Sequence, residues 1–193
     1  MNQKLEPSFK TYYNGLYYRV KLNDSLSIDE LEQLWDIFKR KGNYKLKAPL
    51  SSKVICYLYD EQQLKTFTKV VNKTKIDNIQ GPLNKYHKTM LLDPGYEIKN
   101  TLYYKKYRYR VDYSLTDRNK PNVENFLSGL RSMVASDKEN FLGQNIFQSS
   151  YGWSWPRLYV AGDEQLMIVK LSSEEQIRAI TKVVTIKEIK QHG

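Results

Sequence analysis

The sequence is poor in the residues that build metal centres and disulfide frameworks. It has one cysteine and two histidines in 193 residues, namely Cys56, His87 and His192, which are widely separated. A single cysteine excludes an internal disulfide and every zinc cluster built from several cysteines. We therefore expect no metal and no cofactor. Cys56 is interpreted as a small hydrophobe on the buried face of a strand.

Long apolar runs and catalytic motifs are also lacking. No stretch approaches the roughly 18 to 20 apolar residues that span a bilayer, and the first residues show no hydrophobic signal core. The sequence contains no Gly-rich phosphate loop, Gly-x-Ser-x-Gly elbow or His-Glu-x-x-His motif. These absences predict a protein that is not an enzyme, has no membrane partner, is not secreted, and lies in the cytoplasm or another intracellular compartment.

Positive charge and aromatic rings are abundant. The chain has 31 Lys and Arg residues against 21 Asp and Glu residues, a formal charge of +10, and 13% aromatic residues. This mixture of rings and interspersed charges is typical of a folded chain rather than a disordered one. The surplus of positive charge predicts attraction to polyanions, of which nucleic acid is the commonest.

Two short segments occur twice along the chain. Tyr18-Arg-Val20 returns as Tyr109-Arg-Val111, and residues 60–71 align without gaps with residues 173–184, with six of twelve positions identical. The offset is 91 residues for the first match (18 to 109) and 113 for the second (60 to 173). The pattern predicts an internal duplication with 22 additional residues in the second copy.

The order of strand-like and helix-like patterns predicts an α+β fold. We expect two tandem ferredoxin-like (βαββαβ) units with antiparallel sheets, over residues 1–82 and 101–193, joined by a linker at 83–100. Residues 141–160 are predicted to be an extended hairpin insertion in the second unit. The second unit should then continue with a strand, a helix and a last strand, predicted at Leu166–Leu171, 173–184 and Ile186–Ile189 respectively.

This tandem layout with a basic face resembles two groups of RNA-associated proteins. One is the tandem RNA-recognition motifs, and the other is the repeat-associated CRISPR RNA-processing proteins. The resemblance covers the topology of most of the chain. The predicted third strands, Lys53–Tyr59 and Leu166–Leu171, lack the Gly-aromatic signature of the first group. No glycine lies between Gly162 and Gly193, so the Gly-rich C-terminal loop of the second group is missing. No family is assigned.

Cations alternate with tyrosines on the predicted first strands. In residues 103–110, alternation places Lys106, Arg108 and Arg110 on one side of the strand. Single-stranded nucleic acid requires cations for its phosphates and rings for its bases. We therefore predict that the open sheet faces and the basic loop Lys39–Lys47 bind RNA or single-stranded DNA; the alternative is a solvated face with half-buried tyrosines. The candidate residues are Tyr17, Arg19, Lys21, Lys39, Arg40, Lys41, Tyr44, Tyr57, Lys106, Arg108, Arg110 and Lys170.

Two further hypotheses concern other residues. Trp153 and Trp155 lie in the predicted insertion, and exposed rings on a hairpin commonly anchor a protein partner. The alternative function is therefore a viral or phage interaction or assembly module, although the two rings could instead pack within the core or between the units. A metal-independent ribonuclease ranks lowest, because its only candidate base is His87 in the predicted linker.

Overall fold

The chain folds into two compact units, each described here by itself. The computed structural model describes residues 4–13, 15–39, 44–47, 54–114, 120–146 and 155–192. Unit 1 comprises Met1–Leu92 with Ile189–Gly193, and unit 2 comprises Asp93–Glu188. Within the described residues no helix is long and apolar enough to cross a membrane.

Unit 1 is built on one five-stranded sheet. Its strands are β1 (Leu5–Pro7), β2 (Tyr18–Leu22), β3 (Tyr44–Lys47), β4 (Ile55–Leu58) and β5 (Ile76–Gly81). Its helices are α1 (Ile28–Phe38), α2 (Glu61–Val70) and α3 (Lys85–Leu92). The sheet order is β1-β5-β2-β4-β3. Strands β5, β2, β4 and β3 form an antiparallel ferredoxin-like core, and β1 is added parallel to β5.

Unit 2 repeats this plan. Its strands are β6 (Tyr96–Lys99), β7 (Tyr109–Tyr113), β8 (Phe141–Gln144), β9 (Arg157–Val160) and β10 (Ile177–Thr185). Its helices are α4 (Lys120–Ser136) and α5 (Asp163–Ser173), while α6 (Ile186–Gln191) crosses the boundary between the two units. The order β6-β10-β7-β9-β8 matches that of unit 1 strand for strand. The predicted fold of two ferredoxin-like units is confirmed.

Each sheet buries one face against its helices. In β2 the side chains alternate, so that Val20 and Leu22 are fully buried while Arg19 and Lys21 lie on the opposite, partly exposed face. Cys56 is buried in the same core, and burial raises the pKa of its thiol to about 12. The prediction that Cys56 packs as a small hydrophobe is confirmed.

Helix α1 begins with a capping box that also ties it to the sheet. Ser27 Oγ accepts from the Glu30 amide at 3.2 Å, and Glu30 Oε2 accepts from the Ser27 amide at 2.7 Å. The same carboxylate receives Lys75 Nζ at 2.7 Å and the Asn72 amide at 3.1 Å. Burial acts to raise the pKa of Glu30, but these donors outweigh it and lower that pKa to about 2. Glu30 therefore links the start of α1 to the segment that leads into β5.

The longer of the two sequence matches does not align equivalent elements. Residues 61–70 form α2, but residues 177–185 form the strand β10, and the helix equivalent to α2 is α5. The prediction of a helix at 173–184 is therefore wrong, as are the predicted strands at Leu166–Leu171 and Ile186–Ile189, which lie in α5 and α6. The physical reason is the β-branched residues of β10, which favour a central strand over a helix.

The additional residues of unit 2 are divided between two places. The offset between equivalent strands is 91 residues at β2 and β7 (18 to 109), 97 at β3 and β8 (44 to 141) and 102 at β4 and β9 (55 to 157). Thus α4 and its flanks contribute six residues and the β8–β9 hairpin five. The predicted 22-residue insertion is wrong because it depended on the misaligned match. The segment 141–160 contains β8 and β9 themselves, although the hairpin connection is longer than in unit 1.

The segment 83–100, predicted as a linker, contains α3 and β6. His87 lies in α3 and is fully buried. Its Nδ1 accepts from the Leu83 amide at 3.0 Å, so Nε2 carries the proton and donates to the Ser8 carbonyl at 2.9 Å. Burial lowers the pKa of His87 and keeps the ring neutral. Because backbone groups occupy both ring nitrogens, this geometry leaves none for a substrate.

Candidate nucleic-acid interface

A hairpin of tyrosines folds over the sheet face of unit 1 that α1 and α2 do not cover. The backbones of Tyr12 and Leu16 exchange two hydrogen bonds of 2.7 Å, and Tyr13 at the tip has φ +37°. Positive φ is rare for a bulky residue, so the surrounding contacts must hold Tyr13 in place. The rings of Tyr12 and Tyr13 contact Tyr57 of β4 with centroids 5.2 and 4.7 Å away.

Strand register sets cations beside these rings. Arg19 of β2 and Lys45 of β3 lie on either side of Tyr57, and Gln80 of β5 lies beyond Arg19. Two residues along β3, Lys47 occupies the same face. We call this surface the Tyr13 face and define it by Lys10, Tyr12, Tyr13, Arg19, Lys45, Lys47 and Tyr57. A shallow cavity of about 360 Å³ is lined by Thr11 and by five residues of this face, namely Lys10, Tyr12, Tyr13, Arg19 and Tyr57.

The two lysines of β3 approach the Tyr13 ring. Lys45 Nζ lies 3.9 Å and Lys47 Nζ 4.9 Å from the ring centroid. A hydrogen bond with Lys47 lowers the pKa of Tyr13, and the same contact raises the pKa of Lys47. Both lysines are exposed, and Tyr13 keeps 40% of its surface accessible. The ring and the two ammonium groups are therefore open to a ligand.

A neutral oxygen holds the arginine of this face. Gln80 Oε1 accepts from Arg19 Nη1 at 3.2 Å and from the Tyr12 hydroxyl at 3.3 Å. Within the described part of unit 1, neither Arg19 nor the two β3 lysines form a salt bridge. The carboxylates nearby have other partners, since Asp77 pairs with Lys21 at 2.9 Å and Glu6 accepts from Asn78 at 2.6 Å. No carboxylate among the described residues therefore forms a salt bridge with a cation of the Tyr13 face.

Unit 2 carries the same tyrosine frame. Tyr103 and Tyr107 form the equivalent backbone bridge, and Tyr104 at the tip has φ +49°. The rings of Tyr103 and Tyr104 lie 5.2 and 5.0 Å from Tyr159 of β9, which is the positional equivalent of Tyr57. We call this surface the Tyr104 face and define it by Tyr103, Tyr104, Arg110 and Tyr159. The two hairpins share the backbone bridge, a tyrosine with positive φ and the ring contacts, which indicates that this structure is duplicated.

The charges around the second frame are compensated by carboxylates. Glu97 Oε2 accepts from the Tyr103 hydroxyl and from Arg110 Nη1, the latter at 3.2 Å. Arg110 Nε also donates to Asp112 Oδ2 at 2.9 Å. Burial acts to raise the pKa of Glu97, but hydrogen bonds from Tyr103 and Lys99 lower it, so the carboxylate is ionised. Burial and the Glu97 carboxylate raise the pKa of Tyr103.

Strand register also shows which cations unit 2 lacks. The positions that pair with Tyr57 and Ile55 in unit 1 hold Lys45 and Lys47, and the corresponding positions in unit 2 hold Leu142 and Gln144. Asp112 replaces Lys21 at the matching place in the first strand. Unit 2 therefore lacks the two β3 lysines, has Arg157 at the position of Ile55, and places Asp112 between Arg110 and Arg157 as a partner of both.

The predicted nucleic-acid residues are distributed over several places. Arg19 and Tyr57 meet on the Tyr13 face, Lys21 lies beside it, and Arg110 lies on the Tyr104 face. The Tyr57 ring is itself buried against Tyr12 and Tyr13, so it supports the hairpin and is not exposed for stacking. Arg108 Nη1 pairs with Glu188 Oε1 at 2.7 Å. Lys39 is exposed at the end of α1, and Arg40 and Lys41 lie outside the described residues.

Four candidates depart from the geometry that the pattern predicted. Tyr17 is buried with its ring centroid 5.7 Å from that of Tyr59, and Tyr44 packs against Phe38 at 5.1 Å, because both rings join the core of unit 1. Lys106 lies in the hairpin turn before β7 rather than on a strand. The predicted position of Lys170 on a strand is wrong, since it lies on α5.

The tryptophan hairpin is described only in part. Trp153 lies outside the described residues. Trp155 keeps 43% of its surface exposed, and the Arg178 guanidinium lies 5.7 Å from its ring centroid. The partner-binding hypothesis for these two residues stays a prediction.

The predicted candidate residues omit five residues of the Tyr13 face, although Lys45 and Lys47 fall within the predicted loop Lys39–Lys47. Four of the five carried a usable signal. Tyr12 and Tyr13 recur as Tyr103 and Tyr104 at the same offset of 91 residues as the Tyr-Arg-Val match. Extending that match six residues upstream would have found both hairpins. The alternation of Tyr44-Lys-Leu-Lys47 indicates that Lys45 and Lys47 share a face opposite Leu46. Lys10 carried no comparable signal.

Comparisons with known proteins give little further information. No protein-family profile and no curated protein matches the chain. The solved acetolactate synthase small subunit from Thermotoga maritima is similar over 86% of this chain and 91% of its own, at 9% identity and a TM-score of 0.22. A similarity this low carries no argument about function, and the fold assignment depends on the strand order described above.

Proposed function

We propose that the protein binds single-stranded nucleic acid, RNA or DNA, through the Tyr13 face of unit 1. The observation that carries this proposal is the row of Arg19, Tyr57 and Lys45 across three adjacent strands, in which neither cation forms a salt bridge with a described carboxylate. A single-stranded ligand presents phosphates at regular intervals, and this row offers it two cations, one on each side of the buried Tyr57 ring.

The exposed Tyr13 ring supports the same proposal. Two lysines already contact it within 5 Å, so a base that stacks on the ring brings its phosphate close to an ammonium group. The shallow cavity beside the hairpin, at about 360 Å³, is within the size range of small-ligand sites and is large enough for part of a nucleotide. Because each contact made here is to a phosphate or a ring, we expect weak sequence preference.

A salt titration tests the proposal on the full chain. Fluorescence anisotropy of a labelled 12-nucleotide single strand should show binding at low salt. The logarithm of the association constant should fall linearly with the logarithm of the salt concentration, and we call the gradient of this line the salt slope. Replacing both Lys45 and Lys47 with alanine should lower affinity about tenfold at low salt. It should also reduce the magnitude of the salt slope by about 1.4, since each phosphate contact on a single strand contributes about 0.7.

A matched variant separates the face from net charge. Lys65 and Lys69 lie on α2, on the other side of the sheet, and replacing both with alanine removes the same two charges. This control should bind almost as the unmodified protein does. Absence of binding at low salt, or equal losses in the two double variants, would contradict the proposal.

A further inference from the structure

The two units differ in the oxygen atom that accepts hydrogen bonds from the equivalent tyrosine and arginine. In unit 1 it is the amide Oε1 of Gln80, which accepts from Tyr12 and Arg19. In unit 2 it is the carboxylate Oε2 of Glu97, which accepts from Tyr103 and Arg110. The two acceptors have equivalent partners, but the glutamate side chain carries a full negative charge and the glutamine side chain carries none.

The two acceptors come from different strands. Gln80 lies on β5, in register with Arg19, whereas Glu97 lies on β6, in register with Val183 of β10. At the position equivalent to Gln80, unit 2 has Thr181, whose hydroxyl is 3.4 Å from Arg110 Nη2. The glutamate of the other added strand, Glu6, is in register with Gln80 but accepts from Asn78 instead. The pairing of the added strand therefore decides whether a carboxylate reaches the arginine.

Resting on the proposed function, we propose that this acceptor determines which sheet face binds phosphate. A phosphate that approaches Arg19 displaces only a neutral amide oxygen. A phosphate that approaches Arg110 must displace two carboxylates, Glu97 and Asp112, and is repelled by both. The Tyr104 face is thus a copy of the site whose arginine is already occupied by the protein's own carboxylates.

Exchanging the acceptors tests the proposal, because glutamine and glutamate have the same shape. Gln80→Glu should lower affinity for the labelled single strand about tenfold and reduce the salt slope by about 0.7. Glu97→Gln combined with Asp112→Asn should raise affinity several-fold and steepen the slope by at least about 0.7, because Arg110 is released together with Lys99 and Arg157, which also pair with these carboxylates. Adding Arg110→Gln to this variant should remove the share of the gain that belongs to Arg110. Thermal unfolding of each variant checks that the fold is retained.

The outcomes decide in both directions. Unchanged affinity and slope in folded Gln80→Glu, or in the folded Glu97→Gln, Asp112→Asn variant, would overturn the proposal. If Gln80→Glu does not fold, the unit 2 variant decides alone. If neither variant folds, the titration of the unmodified protein described next decides.

A second measurement keeps this inference separate from the proposed function. Inorganic phosphate is titrated into the unmodified protein while the Nε–Hε resonances of Arg19 and Arg110 are followed by NMR. We expect the Arg19 resonance to shift and the Arg110 resonance to stay. Shifts in both resonances, or in neither, would overturn the inference. Failure of the oligonucleotide to bind, with an Arg19 shift intact, would contradict only the nucleic-acid proposal.

Discussion

Units 1 and 2 share a backbone plan and a tyrosine hairpin but differ in the use of carboxylates. In unit 1 the carboxylate of Glu30, whose pKa is lowered to about 2, lies at the start of α1 and pairs with Lys75. In unit 2 the carboxylates Glu97 and Asp112 lie on the open sheet face and receive Arg110. The first arrangement stabilises the fold and leaves the face positive, whereas the second neutralises the face.

Equivalent backbone and ring geometry in the two units therefore does not imply equivalent charge on their sheet faces. Both hairpins place a tyrosine at positive φ and both bring two rings onto a third. What changes is the charge next to the rings, through a few side chains on neighbouring strands. Net charge gives no indication of this difference, because it counts paired and unpaired cations alike.

The largest expected effect is on the stability of unit 1. Glu30→Gln removes the charge that Lys75 and two backbone amides surround, so we expect a loss of about 1–3 kcal/mol at neutral pH, measured by urea unfolding. The folded pKa of Glu30 is about 2, below the ordinary 4.5. The contribution is therefore complete above pH 4.5 and is lost as the pH falls towards 2.

The control for this prediction lies on the same helix. Glu32 is exposed on α1, and Glu32→Gln should leave the free energy of unfolding almost unchanged. Equal stability of the Glu30 and Glu32 variants at pH 7 would show that the carboxylate does not hold α1 to the sheet.

The next effect compares the two hairpin tips. Tyr13→Ala should lower affinity for a single strand about tenfold with little change in salt slope, since it removes a stacking ring and no charge. Tyr104→Ala makes the same truncation in unit 2, where Tyr104 is 60% exposed and the nearby arginine is neutralised. We expect little effect there, measured by the same anisotropy titration. A larger loss for Tyr104→Ala would reverse the assignment of the binding unit.

The smallest expected effect is a dependence on alkaline pH. The contact with Lys47 lowers the pKa of Tyr13, so the hydroxyl ionises at a lower pH than an ordinary tyrosine. The phenolate adds negative charge to the Tyr13 face, and affinity should fall as the pH rises through this lowered pKa. Tyr13→Phe keeps the ring and should abolish the decline. A decline that persists in Tyr13→Phe would assign it to another group.

The sequence was sufficient to predict the fold class and part of the site. Alternation in Tyr18-Arg-Val-Lys21 correctly placed Arg19 and Lys21 opposite the core, because a half-buried strand has a period of two. The second copy was harder, since residues 173–184 resemble α2 in composition while their β-branched residues pair within a sheet. A local match cannot show which tertiary surroundings decide between helix and strand.

The carboxylate partners could not have been predicted. Glu97 reaches Arg110 from a strand added at the far side of β10, and Glu188 reaches Arg108 across 80 residues of sequence. Strand order and register create both contacts, and neither follows from alternation within one strand. For this reason Arg108 and Arg110 had the strongest sequence pattern but have compensated charges in the fold.

The most direct test of the central claim compares two equivalent arginines. Arg19 and Arg110 occupy the same position in β2 and β7, opposite Tyr57 and Tyr159. The salt slope for a labelled single strand is measured with Arg19→Gln and with Arg110→Gln in the full chain, after thermal unfolding has shown that both fold. We predict that Arg19→Gln reduces the slope by about 0.7 and weakens binding, while Arg110→Gln leaves both unchanged. An equal or greater reduction for Arg110→Gln would contradict the account.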